Sequence, residues 1–193
     1  MKSKIFAIIL VLLVFTGFTY WRVFKPVRVI NRQEMALQKS SLSKSDSMKI
    51  TSSAFNNQEQ IPPKYTADGR NVNPPLSISG VPKSAKNLVL IINDPDAPAG
   101  TWTHWTVWNI NPAVKEIAEN SVPSGAVEGK TSFGKPGYGG PAPPSGTHRY
   151  FFKLYALDTK LDIYADASPE ELFKAMEGHI LDYSELIGIY SHK

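Results

Sequence analysis

The stretch that most constrains this chain is Leu88-Val89-Leu90-Ile91-Ile92-Asn93-Asp94-Pro95-Asp96-Ala97-Pro98. Five consecutive aliphatic residues, Leu88 to Ile92, predict a strand buried on both faces. Proline has no N–H to give a ladder, so the strand must stop at Pro95. Asp94 and Asp96 are thereby held at the end of a rigid element, on a stiff turn. The chain then re-enters as a strand over 102–110. Strict alternation puts Trp102, His104, Thr106 and Trp108 of that strand on one face. A pair of carboxylates at one strand end, next to an imidazole near the start of the following strand, is the most chemically loaded local feature of the sequence.

Other elements are read from pattern. Further strands are expected over 48–55, 76–79, 86–93 and 149–157, and the run Leu186 to Tyr190 returns as a strand or a docked tail. A helix is expected over 168–180. Ser168 caps it, Pro169 takes its first position, Glu171 completes a Ser-x-x-Glu capping box, and Leu172, Ala175, Met176 and Ile180 give the apolar face. Residues 61–75 are rich in Pro, Asn and Gly and read as turns. A body of this size, about 148 residues, can bury about 68–70% of its unfolded surface, enough for one sandwich core.

The amino-terminal part differs in kind. Residues 5–21 are almost wholly apolar and carry no charge. Seventeen helical residues span roughly 25 Å against a hydrocarbon core of about 30 Å. A cleaved signal segment and an uncleaved anchor both fit that length. No small-residue cleavage site follows, and the exit Thr19-Tyr20-Trp21-Arg22 is aromatic and basic, so an N-terminal transmembrane helix within residues 1–24 is the expectation. Residues 25–47 then form a basic, Ser-rich linker, and 48–193 form the body. The flanking charges conflict over sidedness; an extracytoplasmic body is the working expectation.

Charge separates the two parts further. The first 45 residues carry eight Lys/Arg and one acid, Glu34; of 21 Lys/Arg and 17 Asp/Glu in all, this leaves 13 basic against 16 acidic residues in the body. A mildly acidic body lacks the clustered positive charge that nucleic-acid binding requires. The chain has no cysteine, which excludes disulfides and thiolate metal sites.

Residues 129–146 hold six glycines and four prolines. So long a loop inside a compact body is functional or disordered. Phe133 and Tyr138 want burial and the prolines stiffen the path, which favours function. Gly125 to Thr131 resembles a phosphate loop but has Ser124 where the first glycine is required, and no buried strand leads into it. Asp94, Asp96, His104 and His148 could together hold a metal, although their spacing is not diagnostic. A Ser–His–Asp hydrolase lacks its nucleophile elbow, since Ser145 lies in Pro-Pro-Ser-Gly.

Taken together, these blocks resemble a known family. Asp94-Pro-Asp96-Ala-Pro98, His104 in Trp-Thr-His-Trp, Gly139-Gly-Pro141-Ala-Pro143-Pro144 and His148-Arg149-Tyr150 look like the signature blocks of the phosphatidylethanolamine-binding protein family. Asp68-Gly69-Arg70-Asn71-Val72-Asn73-Pro74-Pro75 resembles a further block. The ending through Glu185-Leu186-Ile187-Gly188-Ile189-Tyr190 is similar to the prokaryotic Raf-kinase-inhibitor-like branch. The resemblance spans about residues 48–190. It implies a mainly β fold, a sandwich of two antiparallel sheets with a few peripheral helices. It also implies a non-catalytic binding protein, without cofactor or metal, whose small anion pocket takes a phosphate-containing small molecule or lipid headgroup. Carried onto this chain, the pocket would comprise Asp94, Asp96, Ala97, Pro98, Trp102, His104, Gly140, Pro143, Pro144, His148 and Tyr150. The rival readings are a hydrolase using His104 and an aspartate with or without a metal, and a protein-interaction or inhibitor module regulated by the pocket, whose protein partner the sequence does not name.

Within such a pocket, one aspartate would accept a hydrogen bond from an imidazole or a turn amide. His104, His148, the Tyr150 hydroxyl and the glycine-loop amides would donate to the anion. A neighbouring aspartate would raise the histidine pKa.

Overall fold

A computed structural model describes residues 48–191, and the elements below are those found among them. Nine strands and one α-helix follow one another: β1 (Lys49–Thr51), β2 (Glu59–Gln60), β3 (Leu76–Ser79), β4 (Asn87–Asp94), β5 (Trp102–Ile110), β6 (Glu116–Ile117), β7 (Val127–Glu128), β8 (Thr147–Leu157), α1 (Pro169–Met176) and β9 (Ile180–Ser191). A single 3-10 turn, Pro63–Tyr65, lies between β2 and β3. The membrane helix, the linker and the final two residues expected from the sequence lie outside the described residues. Among the described residues no helix is long and apolar enough to cross a membrane.

Strand β4 organises the rest. All eight of its residues are buried, because it lies inside a six-stranded sheet, order β2-β9-β8-β4-β5-β7, that is covered on both faces. Leu88, Leu90 and Ile92 point one way. They join Tyr150, Phe152, Leu154 and Ala156 of β8 in a core shared with Ile50, Leu76 and Ile78 of the second sheet, order β1-β3-β6. Val89 and Ile91 point the other way and pack with Trp108, Tyr155, Leu172 and Met176, the last two from α1. Uniformly apolar strands are commonest in parallel sheets. Here an antiparallel strand needs the same composition because a sheet covers one face and a helix the other. Each fully buried Leu or Ile contributes about 1.5–3 kcal/mol relative to exposure.

Two expectations need correcting. The sheets are not purely antiparallel, since β2 pairs with β9 in parallel. The chain reaches that edge by crossing from the other sheet, so no hairpin forces it to reverse, and Pro62-Pro63 limit the strand to two residues. The peripheral helices reduce to α1 among the described residues. Its capping box is present: Ser168 accepts from the Glu171 amide at 3.2 Å, and the Glu171 carboxylate accepts from the Ser168 amide at 2.8 Å. The helix ends earlier than expected, at Met176. Gly178 adopts a φ of 78°, which turns the chain, and Ile180 begins β9, which pairs along the whole of β8.

Candidate functional site

At one end of the six-stranded sheet the last residue of β4 and the first residues of β5 and β8 come together. Asp94 pairs with Trp102, and Asn93 pairs with Phe151. Between them β5 is irregular. Ile92 pairs with Trp105 but Asn93 pairs with Thr103, so His104 is the extra residue of a β-bulge. The bulge breaks the alternation expected over 102–110. Trp105 and Val107 enter the core between the sheets and Trp108 the core beneath α1. Trp102 and His104 turn instead toward a cavity they share with Asp94 and Tyr150. The bulge thus aims the His104 ring at the Tyr150 ring, edge-on, with centroids 5.2 Å apart.

The cavity holds about 330 Å³. Asp94, His104 and Tyr150 form its polar floor, and Ala97, Pro98, Ala99, Trp102, Phe133, Ala142 and Pro144 form apolar walls. Asp94 is 3% exposed and His104 4%. Both Asp94 oxygens are engaged. Oδ2 lies 2.7 Å from His148 Nδ1, and Oδ1 accepts from the Asp96 amide at 2.8 Å, which closes the Asp-Pro-Asp turn. Asp96 points away from the floor. Arg149 grips it with two side-chain bonds of 2.8 and 2.6 Å and one backbone bond of 3.0 Å. The Arg149 guanidinium holds the Asp96 carboxyl well below the ordinary range, at about 2.

His104 is held by the glycine loop rather than by a carboxylate. The Gly139 carbonyl accepts from its Nδ1 at 2.6 Å, and the His104 carbonyl accepts from the Gly139 amide at 3.0 Å. A carbonyl can only accept, so Nδ1 carries the proton. Nε2 is then the nitrogen left for the cavity, a lone-pair acceptor while the ring is neutral. Burial lowers the His104 pKa, and the opposing pull of the Gly139 carbonyl and Asp94 does not cancel it. The expectation of a raised value is therefore overturned for the free protein: desolvation outweighs the nearby carboxylate. The Tyr150 oxygen is buried against the Ala142 backbone, which acts to lower its pKa, but no full hydrogen bond forms and the O–H is left without an acceptor. Burial, then Asp94, raises its pKa, so it stays a donor.

Of the residues anticipated for a pocket, Asp94, Ala97, Pro98, Trp102, His104, Pro144 and Tyr150 line this cavity. His148 sits behind Asp94 as its partner. Asp96 faces Arg149, Pro143 is buried in the loop, and Gly140 gives its amide to Asn71 at 2.7 Å. Of the glycine-loop amides expected to donate to a ligand, that of Gly140 is thus committed within the protein, as is its neighbour at Gly139. Ala99, Phe133 and Ala142 also line the cavity without having been anticipated. Phe133 stands edge-on to both Trp102 and His104 at 5.5 Å, yet is 42% exposed. Its aromatic character within a Gly/Pro loop was the available signal.

The grouping of Asp94, Asp96, His104 and His148 around a metal is not assembled. Asp96 is spent on Arg149, and among the described residues no three His, Asp or Glu side chains converge. A wider cleft of about 620 Å³ lies along Ile61, Pro62, Pro63 and Tyr190. Its one carboxylate, Asp68, accepts from the Tyr190 hydroxyl at 2.6 Å, and it contains no imidazole, so the chemistry lies in the smaller cavity.

Comparison with known proteins agrees with this architecture. The phosphatidylethanolamine-binding protein family matches residues 51–191, and the chain belongs to that family. A UPF0098 protein of Methanothermobacter thermautotrophicus is 51% identical over 148 residues, which cover 74% of this chain and 98% of that one. A UPF0098 protein of Pyrococcus abyssi is 51% identical over 157 residues, covering 77% and 88%. Among solved structures, a phosphatidylethanolamine-binding protein homologue from Chlamydia trachomatis superposes with a TM-score of 0.75 at 44% identity, covering 77% of this chain and all of that one. YbcL of Escherichia coli, described as a member of the mammalian family, gives 0.72 at 31% identity, covering 76% and 99%. Both of these solved chains are thus covered almost whole by the body seen here.

Proposed function

We propose that this protein binds, without transforming, a small phosphate-bearing group in the cavity floored by Asp94, His104 and Tyr150. The observation that carries the reading is the pairing of a buried, unsatisfied Tyr150 hydroxyl with the inward-facing Nε2 of His104, inside apolar walls. A buried hydroxyl without a partner costs about 1–3 kcal/mol, which a bound acceptor recovers. Asp94 repels a bare dianion, and neutral His104 offers no positive charge. The site therefore suits a ligand that carries a proton. A phosphate P–OH donates to Nε2, a second phosphate oxygen accepts from Tyr150, and Trp102, Phe133 and the prolines exclude water, strengthening both bonds.

Residues 5–21 would keep this body at a membrane. A lipid headgroup and a free phosphomonoester share the chemistry described. Titration of the 46–193 body with inorganic phosphate at about pH 6.5 tests the site. Binding is expected, with His104→Ala losing about 1.5–3 kcal/mol, roughly 10- to 150-fold. Equal affinity in wild type and His104→Ala would overturn the assignment. For the tether, full-length protein should stay with membranes through a carbonate wash; a mature chain starting between residues 17 and 30 would contradict it.

A further inference from the structure

The turn Thr66-Ala67-Asp68-Gly69-Arg70-Asn71 contributes nothing to the floor of the proposed site, yet the loop that holds His104 is fastened to it. The Asn71 side-chain oxygen accepts from the Gly140 amide at 2.7 Å, and the Ala67 amide donates to the Pro141 carbonyl at 3.0 Å. One residue earlier, the Tyr138 hydroxyl donates to the Tyr65 carbonyl at 2.7 Å. The contact is close: a Cβ on Gly140 would stand 2.7 Å from both Asn71 Oδ1 and the Tyr65 carbonyl oxygen. Gly139, next in line, is bonded to His104 twice, through its carbonyl to Nδ1 and through its amide to the His104 carbonyl.

Asn71 itself adopts a φ of 55°. That left-handed conformation costs a non-glycine residue free energy, and glycine would adopt it more easily. What asparagine adds is the side-chain oxygen, and Gly140, which can only donate here, fixes which end of the amide faces it. The same turn reaches the other side of the floor. Asp68 accepts from the Tyr190 hydroxyl, and Tyr190 is the cross-strand partner of His148.

We propose that Asn71 is a positioning residue for His104. By fixing Gly140 it holds the Gly139 carbonyl on Nδ1, which selects the tautomer whose bare Nε2 faces the cavity. The consequence for ligand binding rests on the function proposed above; the tautomer does not.

Ring-nitrogen NMR of the 46–193 body reads it, with the His104 signals assigned by their loss in His104→Ala. Well above the His104 pKa, wild type should carry its proton on Nδ1, and the Gly140 amide should exchange slowly with solvent. Asn71→Gly tolerates the backbone conformation but removes the acceptor. It should mix the tautomers and lower the His104 titration midpoint, since a carbonyl on Nδ1 favours the charged ring. Asp94 from β4 and His148 and Tyr150 from β8 also act on the ring and are unchanged in that variant. The Gly140 backbone, which likewise raises the His104 pKa, is loosened with Gly139 and moves the midpoint the same way. Asn71→Asp keeps an acceptor oxygen and should retain the Nδ1 proton.

A merely structural Asn71 would lower thermal stability in Asn71→Gly and leave tautomer and midpoint as in wild type, which overturns the proposal. So does a wild-type proton on Nε2, or fast exchange at Gly140. If Asn71→Gly does not fold, the wild-type tautomer, the Gly140 exchange rate and Asn71→Asp still decide. Inorganic phosphate should bind several-fold more weakly to Asn71→Gly than to wild type. Absence of phosphate binding in wild type, with the tautomer shifting as expected, sinks the binding reading and leaves this one standing.

Discussion

The floor of the cavity and its collar are built on different terms. Asp94, His104 and Tyr150 come from three neighbouring strands, are buried, and are polar. The collar, from Pro98 and Ala99 to Phe133, Ala142 and Pro144, comes from two loops, is largely exposed, and is apolar. This inverts the usual order of an apolar inside and a polar outside. A polar floor within a core is tolerated only where its groups are partnered. Asp94 is, twice over, and His104 is at Nδ1, whereas the Tyr150 hydroxyl is left. The lesson is that the floor is expensive to disturb and the collar is not.

The largest effect expected from that difference is at Asp94. Asp94→Ala strips the partner from buried His148 and opens the Asp-Pro-Asp turn. It should cost about 3 kcal/mol, or roughly 10 °C in Tm for a body of this size, and should abolish phosphate binding as well. Pro144→Ala in the collar should stay within about 0.5 kcal/mol of wild type. Comparable melting temperatures for the two variants would erase the distinction.

Acid should separate the floor from the Asp96 turn that leads into the collar. The folded state depresses the His104 pKa below 6.5, so below that value the unfolded chain binds more protons than the folded one. This contribution is fully present above about pH 6.5 and is lost as pH falls through the depressed value. Asp96, at about 2 when folded against 3.8 ordinarily, contributes above pH 3.8 and is lost as pH falls toward 2. Denaturant titrations across pH should show both steps. His104→Ala should remove the upper step and Arg149→Ala the lower; persistence of either step in its variant would refute that assignment.

The smallest effect concerns the clamp between Asp96 and Arg149. Both are partly solvent-exposed, with side chains 28% and 55% accessible, so Arg149→Ala should cost about 1 kcal/mol or less in stability. The turn that carries Ala97 and Pro98 is loosened, and phosphate affinity should fall modestly. A loss as large as that of His104→Ala would mean that Arg149 itself meets the ligand.

How far the sequence disclosed this site depended on how local the determining physics is. The strand-to-proline stop at Asp94-Pro95, the capping box at Ser168 and Glu171, and β5 over 102–110 each follow from a few adjacent residues. The bulge at His104 does not, because it depends on how β5 registers against β4; alternation alone therefore put Thr106 and Trp108 on the wrong face. The partition of the two aspartates was only half legible. Asp94 as holder of the turn follows from its place after a buried strand, but the grip of Arg149 on Asp96 spans 53 residues of sequence. Phe133 became a wall residue only when the loop folded back along β5. The depressed His104 pKa required knowing its burial.

The most direct measurement is the affinity of phosphoethanolamine for the 46–193 body at about pH 7 and about pH 8, by calorimetry. If the ligand is held through one proton shared between its phosphate oxygen and His104 Nε2, the complex keeps a proton that both free partners have lost. A phosphomonoester's second pKa is about 6, and free His104 lies below its ordinary value, so both are deprotonated across this interval. Affinity should then fall roughly tenfold over that one pH unit, with uptake of about one proton on binding. Equal affinities without proton uptake would contradict a shared proton at His104.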